Sequence, residues 1–120
     1  MYWSLIIQFL TTRTTVMKLL IFRLRMGHAG VNFYLNRFGM TESELCQNCQ
    51  VPETILHFLL ECDNHRTQRE ILLGKLRAIG IMNPNLKIIL GGDENHKENR
   101  GNILASLLEY IISTDMLRVL

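Results

Sequence analysis

Apolar residues recur at helical spacing along most of this chain. Val16, Leu20 and Leu24 lie four residues apart, and this spacing predicts an amphipathic helix over residues 15–26. Gly27 follows at the position where many helices end in a left-handed residue, so we expect the helix to end there.

Two shorter helices are predicted before the middle of the chain. The first covers residues 30–37, is followed by Gly39, and has an expected inner face of Val31, Tyr34, Leu35 and Phe38. The second begins at Pro52, which suits a first helical position, with Glu53 in the first turn. Its apolar residues are Ile55, Leu56, Leu59 and Leu60. The Asp-Asn pair at residues 63–64 is expected to break it.

The helical pattern continues in the second half of the chain, where a helix is predicted over residues 65–80 with Gly80 at its end. Its expected apolar stripe consists of Ile71, Leu72, Leu76 and Ile79. Residues 83–92 form a short apolar run that fits one strand or one helical turn, since periodicity cannot separate the two. Residues 93–100 predict a solvated loop or cap. The last helix begins near Asn102, and its paired apolar positions are Ile103, Leu104, Leu107, Leu108, Ile111 and Ile112.

Together these elements predict a mainly α fold, a small helical domain that forms one unit over residues 1–120. A chain of 120 residues with 48% hydrophobic residues is long and apolar enough for one core. We divide it into a basic helical lead-in over 12–39, a segment with every cysteine over 45–65, and a helical tail over 66–120.

The sequence predicts no membrane segment, because no apolar run approaches the roughly 18 residues that span a bilayer. The apolar opening MYWSLIIQFL lacks the basic start of a signal peptide. The cysteine count of three is odd, which argues against a secreted disulfide framework. We therefore expect an intracellular protein of the nucleus or cytoplasm.

Basic residues are concentrated near the N-terminus, although the net charge is only +2. The stretch over residues 12–37 contains no acidic residue. Its cations are Arg13, Lys18, Arg23, Arg25 and Arg37. They could contact the phosphates of RNA or DNA, with Tyr34 or Phe33 stacking on a base. The alternative is that the cations form the solvated face of two helices and the aromatic residues belong to the core.

All three cysteines and one histidine lie within residues 46–62. They are Cys46, Cys49, His57 and Cys62. Zn²⁺ takes four such ligands in a tetrahedron, and a site with all four positions filled by protein is structural rather than catalytic. Residues five apart on an α-helix point about 140° away from each other. His57 and Cys62 can therefore reach one ion only if the helix ends near Glu61.

Other interpretations of these residues stay open. The cysteines could be buried apolar residues beside a half-buried histidine. Cys46 and Cys49 could instead form a redox C-x-x-C pair, although no βαβ pattern surrounds them. His65 lies three residues after Cys62 and could replace His57 as the fourth ligand. We favour His57 because its neighbours are apolar, whereas the neighbours of His65 are polar.

Three motifs occur in order: R-L-R-x-G-H over residues 23–28, N-x-Y-L-x-R-x-G over residues 32–39, and the Cys-Cys-His-Cys set that ends in LHFLLEC over residues 56–62. In this combination the chain resembles the C-terminal region of non-LTR (LINE-type) retrotransposon polyproteins, the zinc-binding domain downstream of the reverse transcriptase. The similarity covers about residues 19–69. It implies a basic lead-in at Arg23, Arg25, Gly27 and His28. It also implies a structural Zn²⁺ on Cys46, Cys49, His57 and Cys62.

The resemblance does not extend to an enzyme, since the chain has no Tyr/Phe-x-Asp-Asp strand of a polymerase and no RNase H pattern. We expect a detached tail fragment that binds RNA or DNA weakly and is not catalytic. Candidate catalytic residues are scattered, and no motif joins them. They are His28, His96, Glu109 and Ser113. The alternative function is a helical structural or protein-interaction fragment of a decayed reverse transcriptase, with self-association or partner binding through the helix over 102–113.

Overall fold

The structure, a computed structural model, describes residues 18–116 and Leu120. This described part is helical and contains no β-strand, which confirms the predicted mainly α fold. Its α-helices are α1 (18–26), α2 (Asn32–Arg37), α3 (Arg66–Ala78), α4 (Leu86–Ile89) and α5 (Arg100–Ser113). A π-turn covers His57–Glu61, and 3-10 turns cover Asp63–His65 and Glu94–Asn99. The predicted helix start at residues 15–17 lies outside the described residues.

The core is built around the packing of α3 against α5. Leu72 and Leu76 on α3, and Leu107 and Ile111 on α5, are buried members of one apolar cluster. In each helix the two residues are four positions apart, so they lie on one face. Leu24 of α1 joins the same cluster. Burying an aliphatic side chain of this size contributes about 1.5–3 kcal/mol.

The ambiguous run over residues 83–92 contains a short helix rather than a strand. α4 follows Asn85, whose side chain accepts a hydrogen bond from the backbone N–H of Ile88 at 2.9 Å. This contact is an N-cap, which satisfies one of the free donors of a helix start. Near the other end of α4, Nε of Arg25 donates to the carbonyl of Leu90 at 2.8 Å. That bond ties α1 to α4.

Two of the predicted inner faces are wrong in part. Ile71 is 57% exposed, and Arg69 is buried instead. Arg69 lies three residues before Leu72 and shares its face, whereas Ile71 lies about 100° from Leu72 around the helix. Phe38, predicted on the inner face of the second helix, is 66% exposed because it lies beyond the last residue of α2.

The prediction that a helix begins at Pro52 is also wrong. Pro52 pairs with Leu45 in an isolated β-bridge, and the helical turns start only after Thr54. The hydroxyl of Thr54 accepts a hydrogen bond from the N–H of His57 at 3.1 Å. Thr54 therefore caps the helix, a role for which Pro52 has no suitable side chain. Leu56, one of the four apolar residues noted for this helix, is exposed.

α5 starts at Arg100, slightly before the predicted start. The stretch predicted as a loop or cap forms a 3-10 turn in which the side chain of Asp93 accepts a hydrogen bond from the N–H of Asn95 at 2.8 Å. The buried residues of α5 are Ile103, Leu107, Tyr110 and Ile111. Ile112, another large apolar residue of α5, is exposed. Self-association or partner binding through the helix over 102–113 stays a prediction.

Candidate metal centre

The first two cysteines lie on a tight loop. The backbone N–H of Cys46 donates to the carbonyl of Val51 at 2.7 Å, and the carbonyl of Cys46 accepts from the N–H of Gln50 at 2.9 Å. Gln50 has a positive φ of 58°, which lets the chain reverse within a few residues. The loop thereby brings the thiol of Cys49 back towards that of Cys46.

The histidine and the third cysteine stand at the two ends of the π-turn. The N–H of Cys62 donates to the carbonyl of His57 at 2.7 Å, a bond that spans five residues and winds wider than an α-helix. Cys62 itself has an extended backbone, with φ −68° and ψ 122°. The helix therefore ends at Glu61, the position that the sequence required if His57 and Cys62 were to face one ion.

The structure brings all four predicted ligands together. One ligand atom from each of Cys46, Cys49, His57 and Cys62 lies within 4.8 Å of the others, so the cluster could hold a metal ion. Sγ of Cys62 is 3.8 Å from Sγ of Cys46 and 3.9 Å from Sγ of Cys49. Two thiolates bound tetrahedrally to zinc at about 2.3 Å lie about 3.8 Å apart. A disulfide would need about 2.05 Å, and the three cysteines are free.

His57 gives a second sign that the residues fit a metal. The side chain is buried, and its Nε2 atom has no hydrogen-bond partner. Buried polar atoms are nearly always satisfied by a partner. Coordination through Nε2 would supply that partner, and imidazole nitrogen is an ordinary zinc ligand.

His65, the alternative ligand, lies outside this cluster. Its ring packs edge-on against Phe58, with ring centroids 5.3 Å apart, and against Tyr110 at 6.4 Å. Burial lowers the pKa of His65, and the nearby Arg69 adds to that effect. His65 is thus placed as an aromatic packing residue beside the centre.

The thiols of Cys49 and Cys62 differ in their electrostatic surroundings. Burial raises the pKa of Cys62 to about 12. A hydrogen bond from the backbone N–H of Asp63 lowers the pKa of Cys49. Because metals bind thiolates, a metal ion must displace the proton of Cys62. The Asp63 N–H already favours the charged form of Cys49.

Two residues that support the centre were missed by the sequence reasoning. Arg69 donates from Nε to the carbonyl of Leu59 at 3.1 Å and from Nη2 to the carbonyl of Cys62 at 2.5 Å. The hydroxyl of Tyr110 donates to the carbonyl of Phe58 at 2.5 Å. Arg69 could have been found from its position three residues before Leu72, on the buried face of α3. No signal in the sequence identifies the role of Tyr110.

The predicted nucleic-acid residues are only partly brought together. Arg25, Tyr34 and Arg37 line one groove of about 750 Å³, and no acidic residue is among its described lining residues. Lys18 and Arg23 are exposed on α1 but do not line it. Arg13 lies outside the described residues. The Nε atom of Arg25 is already bonded to a carbonyl of the chain, which leaves Arg37 as the groove's freer guanidinium.

Aromatic rings are packed along one wall of this groove. The ring of Tyr34 stacks on that of His28, with centroids 5.1 Å apart and planes 22° apart. The Tyr34 ring also packs against that of Phe38, with centroids 5.0 Å apart and planes tilted by 55°. Phe33 also lines the groove, and both phenylalanines are exposed. The groove therefore combines positive charge with accessible aromatic faces.

Comparisons with known proteins identify no relative: no family model, curated protein or solved structure matches this chain. The metal-ligand cluster and the groove must therefore be interpreted from their own chemistry. Among the helices of the described residues, none has the length and apolarity needed to cross a bilayer.

Proposed function

We propose that this chain is a small structural zinc module, related to the C-terminal zinc-binding region of non-LTR retrotransposon polyproteins, which binds RNA or DNA weakly and has no catalytic role. The observation that carries the proposal is the cluster of Cys46, Cys49, His57 and Cys62. The relationship to retrotransposons rests on the three sequence motifs. The nucleic-acid role rests on the basic, aromatic groove.

The chemistry of the four donors supports zinc over other ions. Three thiol sulfurs and one imidazole nitrogen form a soft tetrahedral set that suits zinc, whereas calcium and magnesium prefer oxygen ligands and higher coordination numbers. The four protein ligands would fill a tetrahedron and leave no position for a water molecule. Such a closed site stabilises a fold and does not activate a substrate.

The packing around the cysteine loop supports a structural role for the ion. Between Phe38 and Thr54, Cys46 is the single buried residue. This stretch therefore buries almost no apolar side chain that could hold it in place. Zinc bound to Cys46 and Cys49 would anchor the loop to the π-turn, so that metal-binding energy replaces the missing core.

The groove supports binding to a single strand of nucleic acid rather than to a duplex. Exposed aromatic faces at Phe33 and Phe38 can stack on unpaired bases, which a duplex keeps stacked within itself. Arg37 can contact a phosphate between them. With one freely available arginine in the groove, the affinity is expected to be low and strongly dependent on salt.

Fluorescence anisotropy with labelled single strands of about 12 nucleotides tests this role. We expect the zinc-loaded protein to bind single-stranded RNA or DNA more tightly than a duplex of the same sequence. Arg37→Glu should weaken binding and lower the salt slope by about 0.7 for each phosphate that the variant no longer neutralises. Arg77→Glu makes the same charge change on an exposed position of α3 outside the groove, so it serves as the control. Equal weakening in both variants would assign the effect to net charge and remove the groove from the proposal.

A further inference from the structure

Arg69 is a buried charged residue without a carboxylate partner among the described residues. The residue is only 8% exposed. Three ion pairs within the described part of the chain are formed by Arg66, Lys75 and Arg100, and Arg69 belongs to none of them. Arginine is rarely buried unless an opposite charge is near, because the cost of removing its charge from water is otherwise not offset.

The hydrogen bonds of Arg69 point to the metal-ligand cluster. Its two donors hold the carbonyls of Leu59 and Cys62. The first belongs to the π-turn, and the second belongs to a ligand residue. The carbonyl of Cys62 also accepts a hydrogen bond from the backbone N–H of His65 at 3.3 Å, and the bond from Arg69, at 2.5 Å, is the shorter of the two. The contact fixes the backbone that carries the Cys62 thiol.

We propose that Arg69 is a positioning residue of the metal centre, which holds Cys62 in place and supplies the counter-charge of the loaded site. The inference rests on the proposed zinc site. One Zn²⁺ with three thiolates and a neutral imidazole carries one net negative charge. The guanidinium of Arg69, bonded to the backbone of a ligand residue, is the buried cation placed to offset it. The buried charge of Arg69 and the charge of the loaded centre then stabilise each other.

Two substitutions at this position separate charge from hydrogen bonding. Arg69→Gln keeps an N–H donor for one carbonyl but removes the charge, whereas Arg69→Lys keeps both a donor and the charge. Arg77→Gln removes a charge from an exposed position of the same helix and is the matched control. Zinc affinity is measured by competition with a chromophoric chelator. Co²⁺ absorption reports the geometry of the thiolate site.

We expect Arg69→Gln to bind zinc about 10–100-fold more weakly than the wild type, the range seen when residues supporting metal ligands are replaced. Arg69→Lys should recover most of the affinity, and Arg77→Gln should match the wild type. Equal zinc affinities for Arg69→Gln and the wild type would overturn the proposal. Equal zinc affinities for Arg69→Gln and Arg69→Lys, both below that of the wild type, would overturn the role of Arg69 as the counter-charge.

Circular dichroism in the presence of chelator checks whether each variant folds without metal. If Arg69→Gln does not fold without metal, the Co²⁺ absorption spectrum at saturating Co²⁺ is compared instead. A shifted band in Arg69→Gln with a wild-type band in Arg69→Lys would support the proposal. Identical bands in the two variants and the wild type would overturn it. Failure of the proposed zinc site has a different signature, because the wild type itself would then bind neither Zn²⁺ nor Co²⁺.

Discussion

Replacing Cys49 by serine should remove the metal-dependent part of the stability and little else. Cys49 is only half-buried, whereas the other three ligands are buried. Serine is only slightly smaller than cysteine, so the substitution should change the local packing little. Packing losses at such a position are within about 0.5 kcal/mol. The proposed tetrahedral zinc site, however, would lose one of its four ligands.

The expected size of the effect follows from linkage. Zinc at about 100 times its dissociation constant, bound only to the folded state, adds about 2.7 kcal/mol to the free energy of unfolding. In a domain of this size each kcal/mol shifts Tm by about 4 °C. Loss of zinc binding in Cys49→Ser should therefore lower Tm by about 11 °C when zinc is present.

Thermal unfolding followed by far-ultraviolet circular dichroism, with zinc and then with chelator, measures this difference. Gln47→Ala, an exposed change in the same loop, is the control and should behave as the wild type. With chelator, the Cys49→Ser and wild-type curves should coincide. Equal unfolding temperatures of the two proteins in zinc, or an equal decrease of Tm by chelator in both, would refute a zinc contribution through Cys49.

Three further predictions concern the packing. Leu72→Ala should lower the free energy of unfolding in urea by about 2–5 kcal/mol, whereas Ile71→Ala should change it by less than about 0.5 kcal/mol; similar losses would contradict the assigned faces of α3. Gly91→Ala should destabilise by about 1–2 kcal/mol or more in the same assay, because φ is +73° and a Cβ would lie 3.0 Å from Leu104 Cδ2; an unchanged midpoint would contradict this. Burial raises the pKa of Tyr110 to about 12, while an unfolded tyrosine ionises near about pH 10. The folded state therefore keeps a proton that the unfolded state loses, and stability should fall as pH rises from about 10 to 12, less so in Tyr110→Phe; equal pH profiles for the two proteins would exclude this cause.

Helical periodicity was enough to predict the fold class and most helices. Leu72 with Leu76, and Leu107 with Ile111, are buried at the expected spacing. Periodicity predicted the buried face of a helix poorly where a polar residue occupies an inward position. Arg69 occupies the inner face of α3 because it bonds carbonyls that the sequence pattern does not reveal.

The composition of the candidate centre could be predicted, but its geometry could not. The spacing of the cysteines and His57 predicted the four residues that the structure brings within 4.8 Å of one another, and it required a helix end near Glu61. A π-turn depends on hydrogen bonds five residues apart, which no residue pattern specifies. The bond from Tyr110 to Phe58 joins residues 52 positions apart, so only the folded chain reveals it.

The basic, aromatic groove could be predicted from the sequence only in part. The acid-free stretch that ends at Arg37 was visible in the sequence. Which of its cations share a surface depends on how α1, α2 and α4 pack. Packing directs Arg25 to the carbonyl of Leu90 and leaves Lys18 and Arg23 away from the groove.

The most direct test of the central claim is the metal content of the intact chain by native mass spectrometry, with a parallel count of reactive thiols. One zinc per chain, with all three thiols protected until chelator is added, is the predicted result. A metal-free chain whose three thiols react freely even after incubation with zinc would contradict it.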